Sequence, residues 1–284
     1  MQRRGVREME REAARAGPDT RGEPTAAPEG EPARMLVRRG LRPEPAHRDL
    51  PFPPELPEPS LDRFAERLGH YGFRLFLRGA LQSPGSFVPG ETTRYLDAAR
   101  ARQHAEFLVQ IGLAERLGRD RYRLSHPSRN FGGTLEWYVA RELARRFGME
   151  TAAGLKTGAR GVGGDLDVVA SAEGRLVYLE LKSSPPKHLA EEEMKAFVAR
   201  VTLLRPHVTV FAVDTALRLR DKVVPMLESA LRTAGAPERT PARRLVHEIW
   251  AFSPHLYALN AKPDLIANIG RVLAAGLRAL GPEP

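Results

Sequence analysis

Asp165-Leu166-Asp167-Val168-Val169-Ala170 and Leu176-Val177-Tyr178-Leu179-Glu180-Leu181-Lys182-Ser183, separated by a turn at Ala172-Glu173-Gly174, decide the fold of this chain. Both stretches read as strands of one hairpin. Residues 168–170 and 176–179 are almost continuously apolar, as in strands covered on both faces. Alternate residues of a strand share a side, so Asp165 goes with Asp167 and Glu180 with Lys182. Charges at the ends of such strands are partly buried, and an unpaired buried charge costs on the order of several kcal/mol. They persist with a partner or a metal. Two carboxylates within a few ångströms repel each other, and a hard divalent cation such as Mg²⁺, which takes oxygen ligands, removes that conflict. A solvated Glu-x-Lys ion pair is the plain structural alternative. Against it stand an aspartate 13 residues upstream (180 − 167 = 13) and a glutamate, Glu136, on the preceding helix.

Upstream, Leu135, Val139, Leu143 and Phe147 mark one face of a helix over 133–147, ended by Gly148, with Glu136 in its first turn. A short strand over 149–153 follows. Then comes a basic, Gly-rich loop over 154–161 that contains Lys156 and Arg160 but lacks the Gly-Lys-Ser/Thr ending of a nucleotide-binding P-loop. Downstream, the pattern predicts a helix over 188–204 and a strand over 207–213, for a core order of α-β-β-β-α-β. Beyond it, a helix over 215–235, strands over 246–252 and 256–259, and an amphipathic helix over 263–280 extend the domain. The last helix suits core packing, or a dimer face that would make a second copy of the chain a partner. His207, His247 and His255 show no metal-ligand spacing and read as structural.

Nearer the N-terminus, residues 1–57 alternate Arg, Glu, Pro, Gly and Ala and end in a Pro-rich run. The composition predicts a disordered tail and a stiff linker, with Met35 as an alternative start. Residues 58–127 read as three helices, the second a short one over 92–96 and the third over 97–111, followed by a hairpin formed by 113–117 and 121–124. Residues 128–284 complete the chain as the second domain.

Formal net charge is +9, which favours an anionic partner, nucleic acid before an acidic membrane. The absence of cysteine excludes disulfides, Cys-ligated zinc and thiol catalysis. No apolar run reaches the roughly 18 residues of a membrane span. The Arg/Glu-rich start has no apolar signal core, so the expected location is the cytoplasm.

Three helices and a basic hairpin resemble a winged helix-turn-helix. The resemblance implies DNA contact by Arg100, Arg102 and Gln103 on the third helix and by Arg119 and Arg121 on the wing. An ordinary solvated face is the alternative. Glu136, Asp167-Val168-Val169-Ala170 and Leu179-Glu180-Leu181-Lys182-Ser183 resemble the PD-(D/E)XK nuclease superfamily, and within it archaeal Holliday-junction resolvases and restriction endonuclease-like proteins. About 85 residues carry the resemblance, which covers restriction and DNA-repair nucleases alike. It implies an α/β, restriction endonuclease-like αβββαβ core with a mixed sheet, behind an N-terminal winged-helix domain and a disordered tail. It also implies a Mg²⁺- or Mn²⁺-dependent endonuclease that cleaves DNA by attack of an activated water. Asp167, Glu180 and the Leu181 backbone carbonyl would bind the metal. Glu136 would bind it through water, Lys182 would position the water, and Asp165 would stand behind the ligands or be an ordinary loop residue. Lys156 and Arg160 would hold the DNA backbone. The alternative is a catalytically inactive DNA-binding or regulatory protein on the same fold. An RNA-processing nuclease ranks below both, because no aromatic platform for RNA bases is visible.

Overall fold

A computed structural model describes residues 30–83, 85–126, 128–159, 164–235 and 241–281. The helices are α1 (Glu31–Val37), α2 (Glu58–Leu68), α3 (Tyr71–Leu81), α4 (Ala98–Gln110), α5 (Gly132–Phe147), α6 (Glu191–Leu204), α7 (Val223–Thr233) and α8 (Leu265–Arg278). The strands are β1 (Glu44–Pro45), β2 (Ala114–Arg116), β3 (Tyr122–Leu124), β4 (Glu150–Lys156), β5 (Leu166–Ala172), β6 (Arg175–Lys182), β7 (Val208–Val213), β8 (Arg243–Val246), β9 (Ile249–Ser253) and β10 (Leu256–Asn260). The fold is mixed α/β, and α5-β4-β5-β6-α6-β7 follow in the predicted order.

Eight strands form one mixed sheet, in the order β1-β4-β5-β6-β7-β10-β9-β8. β6, β7 and β10 run parallel and the remaining pairs are antiparallel. The apolar runs of β5 and β6 occupy its middle, where both faces are covered. One core holds Val168, Ala170, Val177 and Leu179 against Leu135, Val139 and Leu143 of α5 and against the α2–α4 helices. The other holds Val169, Leu176 and Tyr178 against Phe197 of α6, Leu227 of α7 and Leu36 of α1.

Residues 30–57, expected as tail and linker, are folded onto this sheet. Met35 and Leu36 of α1 are buried, and β1 pairs with β4 through Glu44 and Lys156. Phe52 from the Pro-rich run packs edge-on against Trp137, with ring centroids 4.9 Å apart. A few well-placed apolar groups thus anchor a segment whose average composition is that of a disordered chain. The expected disorder of residues 1–29 lies outside the described residues.

The α2–α4 region also departs from expectation in detail. Residues 92–96 are not a helix; a 3-10 turn over Pro89–Glu91 precedes them. Asp97 caps α4 by accepting from the Arg100 backbone N–H at 2.8 Å. The region is tied to the sheet by a buried ion pair: Arg74 of α3 donates to Asp214, just after β7, at 2.9 Å. Asp214 also accepts from Arg78 at 2.8 Å, and its own N–H donates to the Lys182 carbonyl at 2.8 Å.

Two C-terminal elements are shorter than predicted. The helix expected over 215–235 begins only at Val223, with Pro225, which has no N–H to give, in its first turn. Residues ahead of it are held by Asn260, whose side chain donates to the Leu217 carbonyl. The strand expected over 246–252 begins at Ile249 as β9; residues 247–248 ahead of it make the reversal from β8, with His247 at φ +50°. Among the described residues, no helix is long and apolar enough to cross a membrane.

Candidate active site

Asp167, Glu180 and Lys182 meet where β5 and β6 emerge from the core. Val168 pairs with Leu179, and the same register carried one residue on sets Asp167 opposite Glu180. The Asp167 carboxylate accepts from the Leu181 backbone N–H at 2.6 Å. Leu181 therefore meets Asp167 through its N–H. Burial, then the charges of Glu180 and Glu136, raise the Asp167 pKa well above the usual carboxylate range, against the opposing pull of Leu181 and Lys182.

Glu136 enters from the first turns of α5. Burial raises its pKa to about 7; Asp165 and Glu180 add to the rise, while Arg48 and Lys182 oppose it. Gly154 makes room beside Glu136. It lies between the paired positions Ala153 and Leu155 at φ +63°, and a methyl built on it would stand 3.6 Å from a Glu136 oxygen. Asp165 is exposed and lines, with Glu136, a pocket of about 190 Å³.

Glu180 is 2% exposed and both of its oxygens are engaged. One accepts from Arg200 of α6 at 2.8 Å and stands 3.1 Å from the Lys182 ammonium. The other accepts from the Tyr178 hydroxyl, which itself accepts from Arg200 Nε at 3.0 Å. Burial first, then Glu180, raises the Tyr178 pKa well above its ordinary value. Lys182 is further held by Glu193, at 3.1 Å. Burial lowers the Lys182 pKa, but Glu180 and Glu193 outweigh it, and the net shift is upward. Lys182 is thus an ammonium ion at neutral pH.

Tyr178, Arg200 and Glu193 were not among the residues expected at the site. Tyr178 was findable by parity, two residues before Glu180 on the same side of the strand. Arg200 had a fainter signal: a cation three residues after Phe197 on the stripe that α6 buries with Met194 and Leu204.

A divalent metal has a partial place here. Asp167, Glu136 and Asp165 offer hard oxygens and make no ion pair among the described residues, and burial has left two of them with raised pKa values, as expected of carboxylates awaiting a cation. Among the described residues, however, no three His, Asp or Glu side chains converge into a ready metal centre. Glu180 is held by Arg200 instead. Asp167 and Glu136 are therefore the groups that fit a metal ligand's role.

Of the residues expected at a DNA surface, those on α4 and the β2–β3 hairpin are not part of this cluster, whereas Lys156 follows Leu155, which pairs with Leu166 beside Asp165 and Asp167. Arg100 and Arg102 are on the exposed side of α4 but already paired, Arg100 with Asp97 at 3.4 Å and Arg102 with Asp120 on the hairpin turn. Gln103 is exposed beside them. Arg119 is exposed on the turn, and Arg121 donates to the Ser86 hydroxyl at 3.1 Å. Lys156 is exposed at the end of β4, while Arg160 lies outside the described residues.

No protein-family model matches the chain, and no curated protein matches it. Among solved structures it is similar to protein VC1899 from Vibrio cholerae, with a TM-score of 0.52 and 13% identity, over 92% of this chain and 66% of that one. It is also similar to Can2 from Sulfobacillus thermosulfidooxidans, solved in complex with cyclic tetra-adenylate, with a TM-score of 0.47 and 16% identity, over 85% of this chain and 59% of that one. The chain thus spans 66% and 59% of the lengths of these two proteins. At such identity the first likeness concerns the fold alone, and the second supports no further statement.

Proposed function

We propose that this protein is a metal-dependent phosphodiesterase acting on DNA, an endonuclease of the PD-(D/E)XK kind. The observation that carries the reading is the convergence of Asp167, Glu180, Lys182 and Glu136 at one end of the β5–β6 pair, where burial and mutual repulsion raise the pKa values of two carboxylates. Clusters of that kind gather at functional sites more often than in structural ones.

Asp167 and Glu136 would hold Mg²⁺ or Mn²⁺. When bound, such an ion polarises a scissile phosphate and lowers the pKa of a water. The chain's own groups do the rest. Lys182, held as a cation between Glu180 and Glu193, stabilises negative charge developing on the phosphorus oxygens. It is a charge stabiliser rather than a proton acceptor, since its pKa is raised. Glu180, fixed by Arg200 and Tyr178, holds the Lys182 ammonium in place at 3.1 Å. The α2–α4 helices and the β2–β3 hairpin, a winged-helix-like unit over about 58–127, would supply duplex affinity.

A second reading rests on one observation: Arg200 already occupies Glu180. On that reading the site has exchanged its metal for a guanidinium, and the protein binds DNA without cutting it. The test is incubation of labelled junction, flap, duplex and single-stranded DNA with Mg²⁺, Mn²⁺ or EDTA, beside the Lys182→Ala protein. Metal-dependent cutting by the wild type alone supports the nuclease. Tight binding with no cutting under any metal supports the second reading.

A further inference from the structure

Residues 46–49 cross the mouth of the site as a strap. The Ala46 N–H donates to the Gly154 carbonyl at 2.7 Å. Three residues on, the Asp49 carboxylate accepts from the Arg129 N–H and its carbonyl from the Ser128 hydroxyl. Gly133, at the start of α5, lets the strap lie close: a methyl there would stand 3.4 Å from the Asp49 carbonyl oxygen. One end of the strap is thus fixed to β4, which pairs with the strand that carries Asp167, and the other to the loop that leads into α5, which carries Glu136.

Between those anchors lies Arg48. Its stem rests over Gly154, where a methyl would stand 3.2 Å from Cγ. Its charge acts on Glu136. Among the described residues Arg48 nevertheless makes no hydrogen bond or ion pair, so its five donors are open to a ligand. It lines the 190 Å³ pocket with His47, Asp49, Asn130, Gly133, Glu136 and Asp165. At about 30 Å³ per water, that volume holds roughly six waters, enough for a phosphate group with some of its hydration. Asp49, Glu136 and Asp165 on the lining would repel such an anion. The Arg48 guanidinium, planar and able to bind two oxygens at once, offsets part of that repulsion and gives a phosphate a directed partner.

We propose that Arg48 binds a phosphate group of the substrate in this pocket, beside the Glu136 and Asp165 carboxylates. The nucleotide nature of the ligand rests on the phosphodiesterase reading above; the phosphate site itself does not. The Asn130 side-chain amide, whose oxygen accepts from the Gly132 N–H, and Gly133 are the other polar groups of this wall of the pocket. The strap therefore contributes a substrate-binding residue to a site otherwise built from α5, β5 and β6.

The experiment titrates the full chain in EDTA with thymidine 5′-monophosphate and, separately, inorganic phosphate, following the Gly133 and Asn130 amides by NMR. Arg48→Met keeps the apolar stem over Gly154 and removes the charge, and Arg48→Lys keeps the charge without the fork. Wild type should give saturable shifts, Arg48→Met should bind at least about tenfold more weakly, and Arg48→Lys should fall between. Equal binding of inorganic phosphate would support a general phosphate site, and tighter binding of the nucleotide would add recognition of the nucleoside. With DNA and Mg²⁺, Arg48→Met should raise KM more than it lowers kcat. Lys182→Ala should abolish cutting yet bind the nucleotide. Saturable binding by a wild type that never cuts DNA would end the nuclease reading and leave the phosphate site standing. No shift in the wild type, or equal binding by Arg48→Met, would overturn the proposal.

Discussion

Arg200 and Glu180 form a nearly solvent-free ion pair, 2.8 Å apart, with side chains 6% and 2% exposed. The pair joins α6 to the strand that carries Lys182. Removing one member of a buried pair strands the other, at a cost of about 3–5 kcal/mol. Arg200→Ala should lose that much in urea unfolding. Arg200→Lys should lose less, because it keeps the charge but cannot serve Tyr178 and Glu180 together. An Arg200→Ala protein within about 1 kcal/mol of wild type would show that Glu180 does not depend on this partner.

Asp167 holds its place at a cost to the fold. Its carboxylate is crowded by Glu180 and Glu136, whereas an asparagine could still accept from the Leu181 N–H. Asp167→Asn should therefore melt about 2–4 °C higher than wild type in EDTA, the effect of about 1 kcal/mol in a chain of this size. The same variant should lose metal-dependent cleavage. A lower melting temperature would mean that the carboxylate is already satisfied.

Two groups give stability opposite dependences on pH. Glu136 has its folded pKa raised from 4.5 to about 7, so the stability it contributes is full below pH 4.5 and is lost as pH rises through about 7. Glu136→Gln should remove that loss, worth about 1–2 kcal/mol after allowance for partial exposure. His104 lies against Phe73 and Phe76 with its Nδ1 unpartnered, and burial lowers its pKa from 6.5 to about 4. Its contribution is present above pH 6.5 and lost as pH falls through about 4. His104→Leu should flatten that acid limb in urea midpoints measured from pH 4 to 8. Unchanged profiles in both variants would sink these assignments.

The hairpin turn offers a test of the DNA surface. Arg119 and Arg121 make no ion pair, whereas Arg102 is paired with Asp120. Arg119→Ala with Arg121→Ala should weaken binding to all duplexes alike and reduce the salt slope by about one per lost phosphate contact. Arg102→Ala should do less. Fluorescence anisotropy across a salt series measures both, and an unchanged slope in the double variant would place the interface elsewhere.

The central strands were legible because four consecutive apolar residues, 176–179, admit little besides a doubly covered strand. The carboxylates at their ends were legible for the same reason, since charge next to such a run demands an explanation. Two things were not. The strap over 46–49 depends on backbone hydrogen bonds, which leave no mark on composition. Arg200 looked like any arginine on a helix, because its meaning comes from Glu180, which is 20 residues away in the chain. The boundary of the helix at Val223 was hidden by apolar residues such as Leu217 and Leu219, which continue its pattern outside it.

The Arg74–Asp214 pair has a mechanical consequence. It sits at the root of the three-helix region, and the next backbone group, the Asp214 N–H, is bonded to Lys182. A flexible tether would let a captured strand wander over many positions before the carboxylates. A bracket of this stiffness acts as a ruler instead. Nucleic acid gripped at the β2–β3 hairpin would reach Asp167 at one fixed spacing, and the products of cleavage would end at a set distance from the gripped segment.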